Sequence, residues 1–123
     1  MSMTNKDLAR KAAVMCRDVI SGTVTREQTK RVENMFFTAT AWDGLYSETA
    51  SHDKLGVTAY SYQCPMYNLH YRPDIGKFEI LVNTTLYSPT TARHMSLYMS
   101  ELLKVIDPDV VRVYHVDLGR ETS

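Results

Sequence analysis

The sequence has little of what marks the specialised classes of protein. Only five glycines and four prolines occur among its 123 residues, which argues against collagen-like repeats and low-complexity tails. Fourteen basic residues balance fourteen acidic ones, whereas a protein that grips duplex DNA through many phosphates usually has a basic excess. No apolar run approaches the roughly 20 residues of a membrane-spanning helix. An ordinary globular chain with one hydrophobic core is therefore expected.

The start of the chain and its two cysteines bear on where the protein works. Residues 1–7 turn polar at once and lack the apolar segment of a secretory signal. Cys16 and Cys64 have no CxxC spacing and no companion cluster, so the simplest interpretation is two buried thiols in a reducing compartment. We predict a single domain over residues 1–123, located in the cytoplasm and without a membrane partner.

A first helix is predicted directly after the polar start. Thr4 is suited to the N-cap, with Asp7 three residues later as in a weak capping box. Ser21 and Gly22 supply the end, because glycine tolerates the left-handed conformation of a C-cap. Between them apolar residues recur at helical spacing, namely Leu8, Ala12, Met15 and Val19.

A second helix is predicted after Thr25, which forms the full capping-box pattern with Gln28. Its apolar stripe consists of Val32, Met35, Phe36 and Ala39. An alternative interpretation makes residues 36–42 a strand, since Thr38 and Thr40 alternate with apolar residues. The helix is preferred because its cap and its period agree. Residues 43–56 are then predicted to form a long loop.

The middle of the sequence is typical of a β-sheet. Residues 57–64 alternate as a strand, which must end, bulge or lie at an edge at Pro65. Residues 66–71 and 77–83 are predicted to pair as an antiparallel hairpin, because residues 72–77 include the turn formers proline, aspartate and glycine.

A last helix is predicted from Ser88, an N-cap residue placed before a proline at the first helical position. It ends near Asp107, and residues 110–116 form a final strand that a helical connection allows to run parallel to a neighbour. The order ααβββαβ predicts an α+β fold of two layers, with a mainly antiparallel sheet of about four strands and the helices on one face.

The entry to this last helix is the candidate binding site. A helix N-terminus presents unpaired N–H groups and a partial positive charge, which suits an anion. Hydroxyl, guanidinium and imidazole groups are concentrated there, and a tyrosine from the sheet is expected to stack on a ligand. The candidate ligand-binding residues are Tyr62, Asn83, Tyr87, Ser88, Thr90, Thr91, Arg93 and His94. The alternative, left open, is that Ser88 only caps its own helix.

Motifs for catalysis are missing from the sequence. It contains no G-x-S-x-G, no glycine-rich phosphate loop and no Rossmann fingerprint. The four histidines have no metal-ligand spacing. We therefore predict no catalytic residues, no metal and no cofactor, and a protein that is not an enzyme. Eight tyrosines suggest instead a sheet face that stacks nucleobases, forms a protein interface or covers the core edge.

The stretch from Tyr60 to Tyr98 resembles a family of small, largely uncharacterised bacteriophage proteins. The pattern is a Ser-Tyr strand followed by proline, then a hairpin, an asparagine and Tyr-Ser-x-Thr-Thr-x-x-His at the start of a helix. The residues that match it are Ser61, Tyr62, Pro65, Asn83, Tyr87, Ser88, Thr90, Thr91 and His94. Cys64 departs from the small residue that often precedes the proline. The resemblance implies a phage accessory protein made in the host bacterial cytoplasm.

Three functional hypotheses follow. The first is a non-enzymatic protein that inhibits or retunes a host defence or regulatory protein, as the phage resemblance implies. The second is the binding or sequestration of a nucleotide or other phosphorylated small molecule at the helix that starts near Ser88. The third is nucleic-acid binding through the basic N-terminal helices. Whether the protein forms a homo-oligomer is left open.

Overall fold

The structure is a computed structural model and describes residues 3–24, 26–41, 55–72, 74–85, 88–109 and 111–118. The elements in these ranges are α1 (Asn5–Ile20), β1 (Gln28–Val32), β2 (Met35–Ala41), β3 (Leu55–Ser61), β4 (Cys64–Arg72), β5 (Lys77–Asn83), α2 (Pro89–Val105) and β6 (Arg112–Val116). The strands form one six-stranded sheet in chain order, antiparallel except that β6 pairs in parallel with β5. The α+β class is confirmed, but the predicted order and the number of about four strands are wrong.

The main correction concerns the predicted second helix, which is the β1–β2 hairpin. Met35, Phe37 and Ala39 are buried, whereas Phe36 and Thr38 between them are only half-buried. This is the period of two that a strand produces. Aromatic and β-branched residues favour a pleated sheet once neighbouring strands pack against them, so tertiary pairing overrides the helical spacing. The alternative strand interpretation is confirmed for residues 36–41; residues 42–54 and Thr25 lie outside the described residues.

The first helix is confirmed at both ends. Thr4 and Asp7 form a reciprocal capping box, each accepting a hydrogen bond from the other's backbone N–H at 3.1 Å. At the C-terminus Ser21 is the cap, and Gly22 adopts a φ of 74° that an L-residue rarely accepts.

The strand predicted at residues 57–64 is two strands. β3 ends at Ser61, and a two-residue turn leads into β4, where Pro65 lies beside a shift of register. A bulge at the proline was one of the three expected outcomes, because proline cannot donate to the ladder. The hairpin of β4 and β5, the start of α2 at Ser88 and the parallel final strand are confirmed.

Both helices pack on one face of the sheet, which we call the helix face, as predicted. Tyr67 of β4 is fully buried there and contacts both helices: its hydroxyl lies 3.8 Å from Cys16 Sγ of α1, and its ring meets that of Tyr98 edge-on at 5.8 Å. Both cysteines are buried, as predicted. Burial raises the pKa of Cys16 to about 12, so this thiol stays protonated and inert.

The opposite face of the sheet, the far face, holds a chain of hydrogen bonds across three strands. Asn68 donates to Thr58 at 2.8 Å, and its carbonyl oxygen lies 2.7 Å from His70 Nδ1. The other ring nitrogen of His70 lies 2.8 Å from Glu79, which also binds Arg72 at 3.2 Å. His70 and Glu79 are buried. Buried ionic groups are tolerated only when paired in this way.

The tyrosines do not form a single exposed sheet surface. By register, Tyr67 and Tyr71 lie on the helix face, whereas Tyr60 lies on the far face and stacks on Phe36 with ring centroids 4.5 Å apart. Neither helix of the described ranges is long and apolar enough to cross a membrane.

The far-face network generates a prediction about stability. Glu79→Gln keeps the side-chain volume but leaves Arg72 and His70 facing an uncharged amide, which we expect to lower the free energy of unfolding by about 3 kcal/mol. Asp74→Asn is the matched control, because Asp74 binds the same arginine at 2.6 Å but is exposed; its effect should be much smaller. Urea denaturation measures both. If both variants lose the same free energy of unfolding, burial does not explain the larger contribution expected of Glu79.

Candidate functional site

A cavity of about 800 Å³ lies at one end of the sheet, where the turns of two hairpins meet the start of α2. We call it the α2 cavity. Its described wall comes from three segments: Arg31, Asn34 and Phe36 of the β1–β2 hairpin, residues 61–64 of the β3–β4 turn, and Ser88, Thr90 and Thr91 of α2. Segments that are distant along the chain therefore form one cavity wall once the protein is folded.

The two hairpin turns are joined to each other. The N–H of Tyr62 donates to the carbonyl of Asn34 at 2.6 Å. Glu33 and Tyr62 each occupy the first position of a two-residue turn, with φ of 50° and 59°. Two-residue hairpin turns require positive φ there and usually use glycine. The strand pairing thus holds two L-residues in a conformation they disfavour, and one of them, Tyr62, lines the cavity.

The start of α2 is both a cap and part of the cavity wall. Ser88 Oγ accepts from the N–H of Thr91 at 3.1 Å, and Pro89 takes the first helical position, as predicted. The Ser88 hydroxyl also donates to Thr91 Oγ1 at 3.1 Å. Ser88, Thr90 and Thr91 also line the cavity, so the confirmed cap is compatible with a site, which stays a prediction. The partial positive charge of the helix N-terminus lies at this wall.

His94 stands directly behind the wall. Its Nδ1 lies 2.6 Å from the Oγ of Ser61, which is fully buried, and its ring stacks on Tyr62 with centroids 6.3 Å apart. Partial burial, and secondly the charge of Arg93, lower the pKa of His94 below its ordinary value of 6.5, against the opposing effect of Glu33. The ring is therefore mainly neutral at pH 7.

The charge of the wall is positive. Arg31 is its one charged side chain among the described residues, and no Asp or Glu of that part of the chain lines the cavity. The guanidinium lies 4.2 Å above the Phe36 ring and donates to the carbonyl of Glu33 at 3.3 Å. Neither contact neutralises its charge. An anion inside the cavity meets a cation, hydroxyls and a helix N-terminus, and none of the described wall residues is an Asp or Glu.

Four of the predicted site residues line the cavity, namely Tyr62, Ser88, Thr90 and Thr91. His94 contacts two wall residues without being one of them. Arg93 is exposed and does not belong to the described wall, although its charge acts on His94. Tyr87 lies outside the described residues.

Asn83 has a different position from the one predicted. It is buried beneath the β4 bulge, where its amide donates to the carbonyl of Pro65 at 2.7 Å. Its carbonyl oxygen accepts from the N–H groups of Thr85 and Leu118, at 2.9 and 3.2 Å. Asn83 therefore ties the chain after β5 and β6 to β4 and supports the floor of the cavity through its contact with Cys64.

Arg31 and Phe36 are the important wall residues that the sequence interpretation missed. Both were assigned to the second helix, on which they would not reach the start of α2. The signal that identifies them is the alternation of Thr38 and Thr40 with apolar residues, which favours a strand. Asn34 and Gln63 were missed because neither turn contains the glycine by which short hairpins are usually recognised.

Ser61 and His94 differ from a catalytic serine and its general base. Ser61 and His94 are as close as a serine and its general base, but Ser61 is fully buried and no carboxylate of the described residues bonds to His94. Within the same ranges no three His, Cys, Asp or Glu side chains are grouped to hold a metal ion. The hydroxyl of Ser61 therefore orients the imidazole.

Comparison of the chain with protein-family models, with curated proteins and with solved structures finds no match. The resemblance to small phage proteins, the assignment as a non-enzyme and the host location therefore stay predictions.

The strained turns lead to a second stability prediction. Glu33 is exposed at a φ of 50°, so Glu33→Gly should raise the free energy of unfolding by about 0.5–1 kcal/mol through relief of that strain. Gly22→Ala is the converse control, because Gly22 has a φ of 74° and an added Cβ contacts nothing within 4 Å. The expected loss of about 1 kcal/mol in the free energy of unfolding is then due to the backbone conformation alone. Chemical denaturation measures both. A destabilised Glu33→Gly variant would contradict the assignment of strain.

Proposed function

We propose that the protein binds a small anionic ligand, a nucleotide or another phosphorylated molecule, in the α2 cavity. The observation that carries this proposal is a volume of about 800 Å³ whose described wall has one charged side chain, Arg31, and no carboxylate. Small-molecule sites generally have volumes of about 300–1,000 Å³ and a few convergent polar groups. The cavity has the size and the charge for a ligand such as a nucleoside monophosphate.

The anionic group of the ligand is assigned to the side of the cavity between Arg31 and the start of α2. The Thr90 hydroxyl supplies a hydrogen-bond donor there, and the helix N-terminus favours negative charge. Arg31 contributes a planar guanidinium, which binds phosphate through two parallel hydrogen bonds. These groups come from β1 and α2, so a bound phosphate would bridge the two elements.

The planar group of the ligand is assigned to Tyr62. Its ring is 48% exposed although the residue belongs to the cavity wall, and His94 supports it from within the protein. Phe36 is less suited to stacking, because Tyr60 and the Arg31 guanidinium already pack against its ring. An exposed aromatic ring next to a cation is the combination that stacks a base and binds its phosphate.

The role of Arg31 is tested by calorimetric titration of the full chain with nucleoside 5′-monophosphates and inorganic phosphate. Arg31→Gln should weaken binding roughly tenfold to a hundredfold, since a charge-assisted hydrogen bond is lost. Lys30→Gln is the matched control, because Lys30 is the exposed neighbour of Arg31 on the same strand and is not a wall residue. Equal losses in the two variants indicate charge attraction alone and contradict the site.

The role of Tyr62 predicts a different selectivity. Tyr62→Leu should weaken nucleoside monophosphate binding by about 1–3 kcal/mol, the usual contribution of base–aromatic stacking, and leave the affinity for inorganic phosphate unchanged. Tyr114→Leu is the control, because Tyr114 is 41% exposed on β6 and does not line the cavity. The proposal fails if no monophosphate raises the melting temperature of the wild-type protein, or if Tyr114→Leu has the same effect.

The other two hypotheses gain no support from a specific observation. Nucleic-acid binding was expected on two basic N-terminal helices, but the second of them is the β1–β2 hairpin. On α1, moreover, Arg10 is paired with Glu101 of α2 at 3.1 Å. Inhibition of a host protein by a phage-encoded partner stays a prediction.

A further inference from the structure

We infer that His94 is a conditional second cation of the α2 cavity, which takes up a proton when an anion binds and makes binding tighter as the pH falls. The inference rests on the proposed function, since it requires an anion in the cavity. His94 contacts two residues of the cavity wall but does not itself line the cavity. As a second cation it would give the site a preference for ligands that carry more than one negative charge.

The position of His94 couples it to the cavity through two wall residues. Its Nδ1 is 2.6 Å from Ser61 Oγ, and its ring is stacked on Tyr62. Ser61 and Tyr62 both line the cavity. A charge on the imidazole is therefore separated from a bound anion by one layer of side chains, and partial burial limits the screening of their attraction by water.

Protonation of His94 does not require its hydrogen bond to break. A serine hydroxyl donates to a neutral imidazole nitrogen and equally accepts from a protonated one. The Ser61 hydroxyl can thus rotate and keep the same 2.6 Å contact in both charge states. Both charge states are compatible with one arrangement of the wall, so charge can change without a rearrangement of the fold.

Partial burial is the main reason that His94 favours the neutral ring, and the charges around it act in both directions. On its own helix the neighbouring Arg93 opposes protonation, and on the β1–β2 turn Glu33 favours it. On the β3–β4 turn the facing groups are Ser61 and Tyr62, and Arg31 adds a positive charge in the cavity itself. A bound anion adds negative charge close to the ring, opposes the effect of Arg93 and so favours the imidazolium. By linkage, the proton raises the affinity for the anion by the same factor.

The test uses inorganic sulfate as the probe, because sulfate stays a dianion between pH 5 and 8. The titration of each histidine ring of the full wild-type chain is followed by NMR in sulfate and in chloride at equal ionic strength. The His94 midpoint should rise by about one pH unit in sulfate. The exposed His115 on β6 is the internal control, and its midpoint should stay the same in both salts.

The affinity for sulfate gives the second measurement. In the wild type it should increase roughly tenfold from pH 8 to pH 5, which corresponds to a one-unit change in the midpoint. In His94→Asn, whose amide retains a partner for Ser61 but does not titrate, the dependence on pH should be lost. A purely structural role for His94 predicts instead a change in affinity that is the same at every pH.

The outcomes separate the inference from the proposed function. If sulfate shifts the NMR signals of Arg31 and Thr90 and leaves the His94 midpoint unchanged, the inference is overturned and the binding site stands. If sulfate and the monophosphates leave those signals unchanged, both are overturned. A wild-type pH dependence retained in His94→Asn also overturns the inference, and the NMR titration of the wild type decides the matter should that variant fail to fold.

Discussion

The hydroxyl of Tyr98 fixes the relation between α2 and the sheet on which the candidate site depends. It lies 3.0 Å from the carbonyl oxygens of both Phe36 and Tyr60, which are paired residues of β2 and β3. The ring is fully buried against Tyr67. A buried tyrosine hydroxyl needs such a partner, and here it finds one on two adjacent strands. The helix is thereby held in direction as well as in distance.

The geometry of the cavity follows from that contact. His94 lies one helical turn before Tyr98 and therefore on the same side of α2, while Ser61 directly follows Tyr60 on β3. The hydrogen bond between His94 and Ser61 is thus the next contact along the same interface. Further towards the N-terminus, Thr91 and Ser88 line the same cavity as residues of the two hairpin turns. A helix anchored elsewhere would leave those turns without the wall that encloses them.

The two faces of the sheet bury different kinds of side chain. The helix face is covered by apolar side chains and the aromatic rings of Tyr67 and Tyr98, and it supplies the core. The far face buries charge instead, with Glu79 between His70 and Arg72. Such a network contributes less to the net stability of the fold than to fixing one arrangement of its side chains. A buried charged group lowers the stability strongly only when its partner is missing.

Elements whose ends are set by local chemistry could be predicted from the sequence. The capping box of Thr4 and Asp7, the Ser88–Pro89 start and the turn after Arg72 depend on residues that are close along the chain, so α1, α2 and the β4–β5 hairpin were predicted correctly. The hydroxyl-rich entry to α2 was identified for the same reason. The β1–β2 hairpin was not, because its apolar residues fit a helical and an extended period about equally well over so short a segment.

That ambiguity is resolved only by neighbours that are distant in sequence. Residues 35–41 are a strand because β3 pairs with all of them, and Arg31 lies over the Phe36 ring because β1 pairs the two residues. The amino-acid sequence by itself determined the caps, turns and helical segments, since these interactions lie within a few residues of one another. The pairing of strands and the assembly of the α2 cavity from three segments arose from long-range packing, which no local pattern encodes.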